Sequence, residues 1–367
     1  MSALPKMDRG MRLTRVRDAM AQARSDALLV TRLVNIRWLT GFTGSAALLL
    51  VTPDDLVFVS DGRYGEQARD QLSAAGVAAT IEIELSMAAQ RDVLSAHARA
   101  SRRLALEADG VTWAQQRAFA SEWFPDSELV PTEGLVDRER QVKDDGEVAR
   151  ISLAAAIADE SLVAVLPMLR DGPTEEAFAL ELDTEIRRRG AEGTSFDTIV
   201  GSGPNGAKPH ARPSSRVIGE GDLVVIDFGA KVDGYCSDMT RTFSIGEPSS
   251  TQARMLAVVG EAQRAGVTAV AAGIPVRAVD AAARDVITAA GWGEAFTHPT
   301  GHALGLEIHE HPRVASTVDH TLVVGNVVTV EPGVYLPEHG GVRIEDTVLV
   351  TSDGCQPLTH APKLNVI

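Results

Sequence analysis

Four carboxylates and one imidazole, Asp227, Asp238, Glu331, Glu345 and His302, stand in short strand-like or turn-rich segments of the C-terminal part of this 367-residue chain. Oxygen donors with a single neutral nitrogen are the set expected for two hard-to-borderline divalent cations sharing a water. The segment Leu223–Ile245, LVVIDFGAKVDGYCSDMTRTFSI, reads as two strands around a turn at residues 232–234. With that turn centred between Val232 and Asp233, Asp227 and Asp238 face each other across the hairpin, flanked by Val225, Ile226 and Phe228. Two buried carboxylates so placed repel each other, and a bound cation removes the conflict. The plainer alternative, one Asp capping a turn and the other in water, does not explain two acids inside apolar runs.

Glu331 and Glu345 repeat the pattern on either side of a turn at 337–341, again within apolar strand-like runs that leave a carboxylate in need of a partner. Arg343, two residues before Glu345, shares its strand face and serves either as an ion-pair partner or as a substrate contact. The stretch His298–Pro312, HPTGHALGLEIHEHP, reads as a loop because of Gly301, Gly305 and Pro312, and it holds His298, His302, His309 and His311. His302 can offer a neutral nitrogen to a metal. His309 and His311 compete as the polar contact for a substrate carbonyl. His210 sits in the Gly/Pro-rich loop 201–214, where a functional and a plain loop role are equally open.

These residues need elements to hold them. In the first third, Ala27–Thr31, Ala46–Thr52, Leu56–Ser60 and Leu104–Glu107 read as strands, and Arg63–Ala75, Met87–Ala100 and Thr112–Glu122 as helices. That alternation predicts an α/β domain over residues 1–135. The charged stretch Asp137–Glu147 reads as a linker, and 136–367 as an α+β domain. Its helices fall at about 145–169, 174–189, 251–272 and 276–290, with Thr174 as N-cap, Glu175 and Glu176 in a first turn, and Gly190 as a stop. Helix pairs precede strand pairs twice, an order that residue identity does not echo.

Composition excludes some classes. A formal charge of −15 disfavours a nucleic-acid partner. The apolar runs are strand-length, which predicts no membrane span, and residues 1–17 lack the apolar core of a signal peptide. Two cysteines, Cys236 and Cys355, are too few for a disulfide framework, so a reducing cytoplasm is the expected location.

The chain resembles the metal-dependent Xaa-Pro peptidases, aminopeptidase P and prolidase, whose pita-bread fold is shared with methionine aminopeptidase and creatinase. NIRWLTGFTGS (Asn35–Ser45) and DGRY (Asp61–Tyr64) are similar to the N-terminal domain of the bacterial branch; IDFGA, SDMTRT, HPTGHALGLEIHE, VEPGVY and GVRIEDT are similar to the catalytic signatures, in order. The resemblance implies an α/β N-terminal domain with a role in oligomerisation and substrate access, and a pita-bread catalytic domain. It implies that Asp227, Asp238, His302, Glu331 and Glu345 bind two divalent ions, Mn²⁺ foremost and Co²⁺ or Zn²⁺ as substitutes, with Asp238 and Glu345 bridging. It puts His210, His298 and His309 on the substrate side, which selects His309 over His311, makes Glu331 the proton carrier, and matches Arg343 to an arginine the family keeps. The implied substrate is a proline-containing dipeptide or short peptide, and the implied assembly a homodimer, with Trp38 and Arg63 as candidates for partner contacts. A metal-free creatinase-like hydrolase and a non-catalytic pita-bread module are the rival expectations; the intact ligand set speaks against both.

Overall fold

The computed structural model describes residues 4–363 and 366–367, and the chain divides into two units, Met7–Arg140 and a second made of the residues before Met7 together with Gln141–Ile367. The first unit is built on strands β1 (Ala27–Val30), β2 (Leu48–Val51), β3 (Leu56–Ser60), β4 (Thr80–Ile83), β5 (Arg103–Glu107) and β6 (Glu128–Thr132). They form one sheet in the order β4-β3-β2-β1-β5-β6. Pairing is parallel for β1–β5, β5–β6 and β3–β4, and antiparallel for β1–β2 and β2–β3. The uninterrupted apolar runs of β1 and β3 are buried throughout, as a sheet covered on both faces requires.

Helices α1 (Arg9–Gln22), α2 (Leu33–Thr40), α3 (Gly65–Ala74), α4 (Met87–Ala98), α5 (Trp113–Ala118) and α6 (Leu135–Arg140) complete this unit. Periodicity alone hides α1, because one of its three buried positions is Arg12, which stacks 4.8 Å over the Trp38 ring and donates to the Trp38 carbonyl. Trp38 is therefore core, while Arg63 pairs with Asp61 and keeps a largely exposed side chain. The expected boundary at 135/136 moves to Arg140, since α6 buries Val136 and Arg140 and the Arg140 guanidinium donates to Asn35 Oδ1 at 2.7 Å.

In the second unit, α7 (Asp145–Val165) and α8 (Glu175–Arg188) are followed by β7 (Gly193–Thr194), β8 (Ile199–Ser202), β9 (Leu223–Phe228), β10 (Ala230–Val232), β11 (Tyr235–Cys236) and β12 (Met239–Ser244). Next come α9 (Ser250–Ala269), α10 (Val276–Ala289) and the strands β13 (Gly301–Ala303), β14 (Glu310–Val314), β15 (Val327–Val330), β16 (Gly333–Leu336), β17 (Gly340–Arg343), β18 (Asp346–Val350) and β19 (Cys355–Pro357). By length and composition α7 with its following turn is apolar enough to cross a membrane, which the sequence reading overlooked because acids interrupt the run; over half of the span is buried in the core.

Strand alternation separates packing from chemistry. Val224, Ile226 and Phe228 of β9 pack with Phe178, Leu182 and Ile186 of α8, which turns Asp227 to the other face. Val328, Val330, Val348 and Val350 pack against α10 through Val276 and Val279, which likewise turns Glu331 and Glu345 away from the helices.

Candidate active site

The first hairpin does not have the register expected of it. Val232 pairs with Tyr235, and Asp233 (φ 47°) and Gly234 (φ 78°) form the two-residue turn. Asp227 consequently lies opposite Thr240, not Asp238. A two-residue slip preserves the facing parity, so both aspartates still line one cavity. The ribbon is tight here: a Cβ on Gly229 would come within 1.9 Å of the Ser237 carbonyl oxygen.

Glu331 and Glu345 belong to one long ribbon. Strands β15 and β18 pair up to Val330–Asp346, and β16 and β17 resume in the same register at Gly333–Arg343. Both glutamates fall in the interruption. Their backbone N–H groups donate elsewhere, Glu331 to Thr300 O at 2.7 Å and Glu345 to Thr240 O at 3.1 Å. The break thus ties this ribbon to the segment before His302 and to the first hairpin. His302 lies on β13, a strand rather than the expected loop, between β14 and β15. Gly301 is needed there because a Cβ would approach the Thr329 carbonyl oxygen to 2.0 Å.

Nine residues singled out from sequence, the four acids and His302 together with His210, His298, His309 and Arg343, all line a single cavity of about 460 Å³. Nδ1 of His302 lies 3.1 Å from its neighbour's carbonyl, which assigns the proton to that nitrogen and leaves Nε2 facing Asp238 Oδ2 at 3.4 Å and Glu331 Oε1 at 3.5 Å. Donor atoms of Asp238, His302 and Glu345 lie within 4.8 Å of one another. Burial, then the charges of Asp227 and Glu331, hold Asp238 well above the usual carboxylate range; burial and Asp238 do the same to Glu345. Burial also raises Glu331, against the pull of His302 and Arg343.

Arg343 is committed within the cluster. It donates to Asp227 Oδ2 at 2.6 Å, to Thr240 Oγ1 at 3.0 Å and to the Tyr335 hydroxyl at 2.8 Å, while Thr240 donates to Glu345 Oε2 at 2.7 Å. One guanidinium against four acids leaves a cation deficit. Asp227 Oδ1 and Glu345 Oε1 show what is missing, for both are buried without a hydrogen-bond partner. Four carboxylates, one unprotonated ring nitrogen and two orphaned oxygens fit divalent metal.

The histidines differ in freedom. His298 has both ring nitrogens engaged, with Pro299 O at 2.8 Å and the Tyr335 hydroxyl at 2.9 Å, and burial pushes it down to about 4. His309 packs its ring edge-on to His302, centroids 4.4 Å apart, and burial and His302 lower its pKa. His210 is exposed on the opposite loop, and His311 does not line the cavity.

Sequence reasoning missed several contributors: Thr240, Tyr335, the apolar wall residues Phe196, Ile199 and Ile308, and Glu175. Glu175 accepts from Ser202 N and Oγ, Ser214 N and Oγ, and Asn205 Nδ2, at 2.6 to 3.2 Å, closing the loop that carries His210. Tyr335 ends the VEPGVY run, where a polar aromatic beside the acid was the available signal. Cys236 is buried and pushed up to about 11, consistent with packing rather than redox chemistry.

Residues 149–352 match the model of metallopeptidase family M24, and residues 12–142 that of the creatinase/prolidase N-terminal domain. The chain belongs to metallopeptidase family M24. This M24 protein is 39% identical over 357 residues to the uncharacterized peptidase YqhT of Bacillus subtilis, covering 97% of the chain and 100% of the relative. Among solved structures it superposes on an Xaa-Pro dipeptidase from Bacillus anthracis with a TM-score of 0.93 at 40% identity, over 98% of this chain and 100% of that one. It also matches the prolidase of Pyrococcus horikoshii (TM-score 0.90, 30% identity, 96% and 99% coverage) and an X-Pro aminopeptidase of Thermotoga maritima (0.87, 34%, 95% and 100%). The fold is thus an α/β creatinase-type N-terminal domain with an α+β pita-bread catalytic domain, and the protein is a metal-dependent peptidase.

Proposed function

We propose that this M24 peptidase hydrolyses the bond preceding proline in Xaa-Pro dipeptides, using two divalent ions, Mn²⁺ foremost, held by Asp227, Asp238, His302, Glu331 and Glu345. The observation that carries the reading is the cation-deficient acid cluster with its orphaned Asp227 and Glu345 oxygens, under a wall of histidines. Metal bound there would supply Lewis-acid polarisation of the scissile carbonyl and a water acidic enough to react near neutral pH.

The chain's own groups supply the rest. Glu331, its proton affinity raised by burial, takes a proton from the attacking water and returns it to the prolyl nitrogen, a poor leaving group until protonated. His309, beside His302 at the cavity wall, donates to the carbonyl oxygen as negative charge builds on it. His210 contacts the substrate from the facing loop. His298, its two nitrogens already bonded, orients Tyr335, which accepts from Arg343 and so steadies Asp227.

The reading extends to a cytoplasmic location, supported by the two free cysteines, and to the homodimer that the family resemblance implies. Turnover of an Xaa-Pro dipeptide against the matching Xaa-Pro-Yaa tripeptide, with metal content measured alongside, tests the proposal. Mn²⁺-dependent cleavage of the dipeptide is expected. Equal cleavage of the tripeptide would make the enzyme an aminopeptidase instead, and absence of both would sink the assignment.

A further inference from the structure

Lys143 carries one of the least exposed ammonium groups in the chain, its side chain 1% accessible, at the point where the second unit begins. Its partner is Glu310, 3.1 Å from Nζ and 7% accessible, the residue directly after His309. A desolvated pair of this kind adds little stability over an apolar pair of the same volume, so its contribution here is sought in orientation rather than stability.

The geometry shows what is oriented. Glu310 opens β14 opposite Ala303, so residues 304–309 form a loop between the His302 strand and the Glu310 strand. The Glu310 carboxylate is tucked into that loop. Its Oε1 accepts the Glu307 N–H at 3.2 Å, and a Cβ on Gly305 would meet both carboxylate oxygens within 2.9 Å. The loop is also held from outside, where Cys236 N–H donates to Gly305 O at 2.8 Å. Lys143 is itself fixed at its backbone, donating to Gly325 O at 2.9 Å, while Asn326 Nδ2 donates to Gln141 O at 2.9 Å. The ammonium is therefore a rigid post beneath the His309 loop, with the carboxylate as the peg between them.

We propose that Lys143 is a positioning residue for catalysis: through Glu310 it fixes the loop that sets the His309 imidazole against the reacting carbonyl. This rests on the role of His309 proposed above. Displacement of such a group by an ångström is enough to slow chemistry strongly without altering who binds.

A double-mutant cycle between Lys143 and His309 decides it. On Xaa-Pro hydrolysis, Lys143→Met is expected to lower kcat about tenfold, with KM and bound Mn²⁺ within about twofold of the wild type and with Lys143→Arg restoring most of the rate. In a His309→Ala background, itself down about a hundredfold, Lys143→Met should cost no more than about twofold further. An equal loss in both backgrounds, with His309→Ala impaired, would overturn the inference while leaving the His309 role intact. A His309→Ala enzyme of full activity would remove that role and the inference with it. Should Lys143→Met fail to fold, Glu310→Gln, which keeps the side-chain shape, enters the same cycle with the same expected non-additivity and the same refuting outcome.

Discussion

The acids of this site and three of its histidines are placed by different means. Asp227 is held on a paired strand, and Glu331 and Glu345 at a joint in a continuous ribbon, where backbone register fixes each carboxylate. His210, His298 and His309 ride on connecting segments, and each segment is fastened by a buried acid. Glu175 closes 202–214, Asp280 accepts from Thr300 N and Oγ1 and pairs with Arg284, which also donates to His298 O, and Glu310 fills 304–309. Groups that repel one another at close range need the stiffest available support. Groups that must meet a substrate can stand on loops, provided those loops have little freedom left.

That contrast can be broken at its rigid side first. Asp238→Asn should abolish Xaa-Pro hydrolysis, a loss above about a thousandfold, along with some bound metal; turnover at the wild-type rate with Mn²⁺ present would show that Asp238 is not a ligand. On the loop side, Glu175→Gln should lower kcat about tenfold with metal content unchanged, and should lower stability by roughly 1–3 kcal/mol, because the amide NH₂ replaces an acceptor facing buried donors. Loss of metal in that variant would erase the distinction between the two regions. Tyr335→Phe, which removes one hydroxyl linking His298 to Arg343, should slow kcat only a few-fold; a loss as large as that of Asp238→Asn would place Tyr335 in the chemistry itself.

Metal removal gives the smallest and most specific effect. Asp238, Glu331 and Glu345 have folded-state pKa values above their unfolded ones, near 4, so the folded metal-free protein binds more protons. Its stability is therefore full below about pH 4 as far as these groups are concerned, and falls as pH rises through the folded values. The chelated protein should lose several degrees of Tm as pH rises above about 4, relative to the Mn²⁺-loaded protein, as read by thermal melts. Parallel curves for the two forms would show that the acids do not share one cation site.

The residues of the site were legible because an acid inside an apolar run is costly and conspicuous. Their exact pairing was less so. Asp233–Gly234 carries the strongest hairpin-turn signal in its segment, and centring the turn one residue earlier put Asp238 where Thr240 stands. The fasteners were hidden for a different reason. Glu175 reads as an ordinary first-turn acid and Lys143 as one charge in a linker, since a charged side chain that turns inward looks in sequence like one that turns outward. Arg12 concealed α1 in the same way.

The ribbon that carries Glu331 and Glu345 ends in a short tip at 337–339, some 17 Å along the strands from the acids. Because pairing runs in one register from that tip past the joint, the tip acts as a ruler for the chemistry. A single residue removed or added there and passed on as a register shift would slide one arm by one step and swing Glu345 toward the helices. Side chains at this exposed corner can change without moving the acids, whereas a one-residue change in length does not leave them in place once it passes into the register.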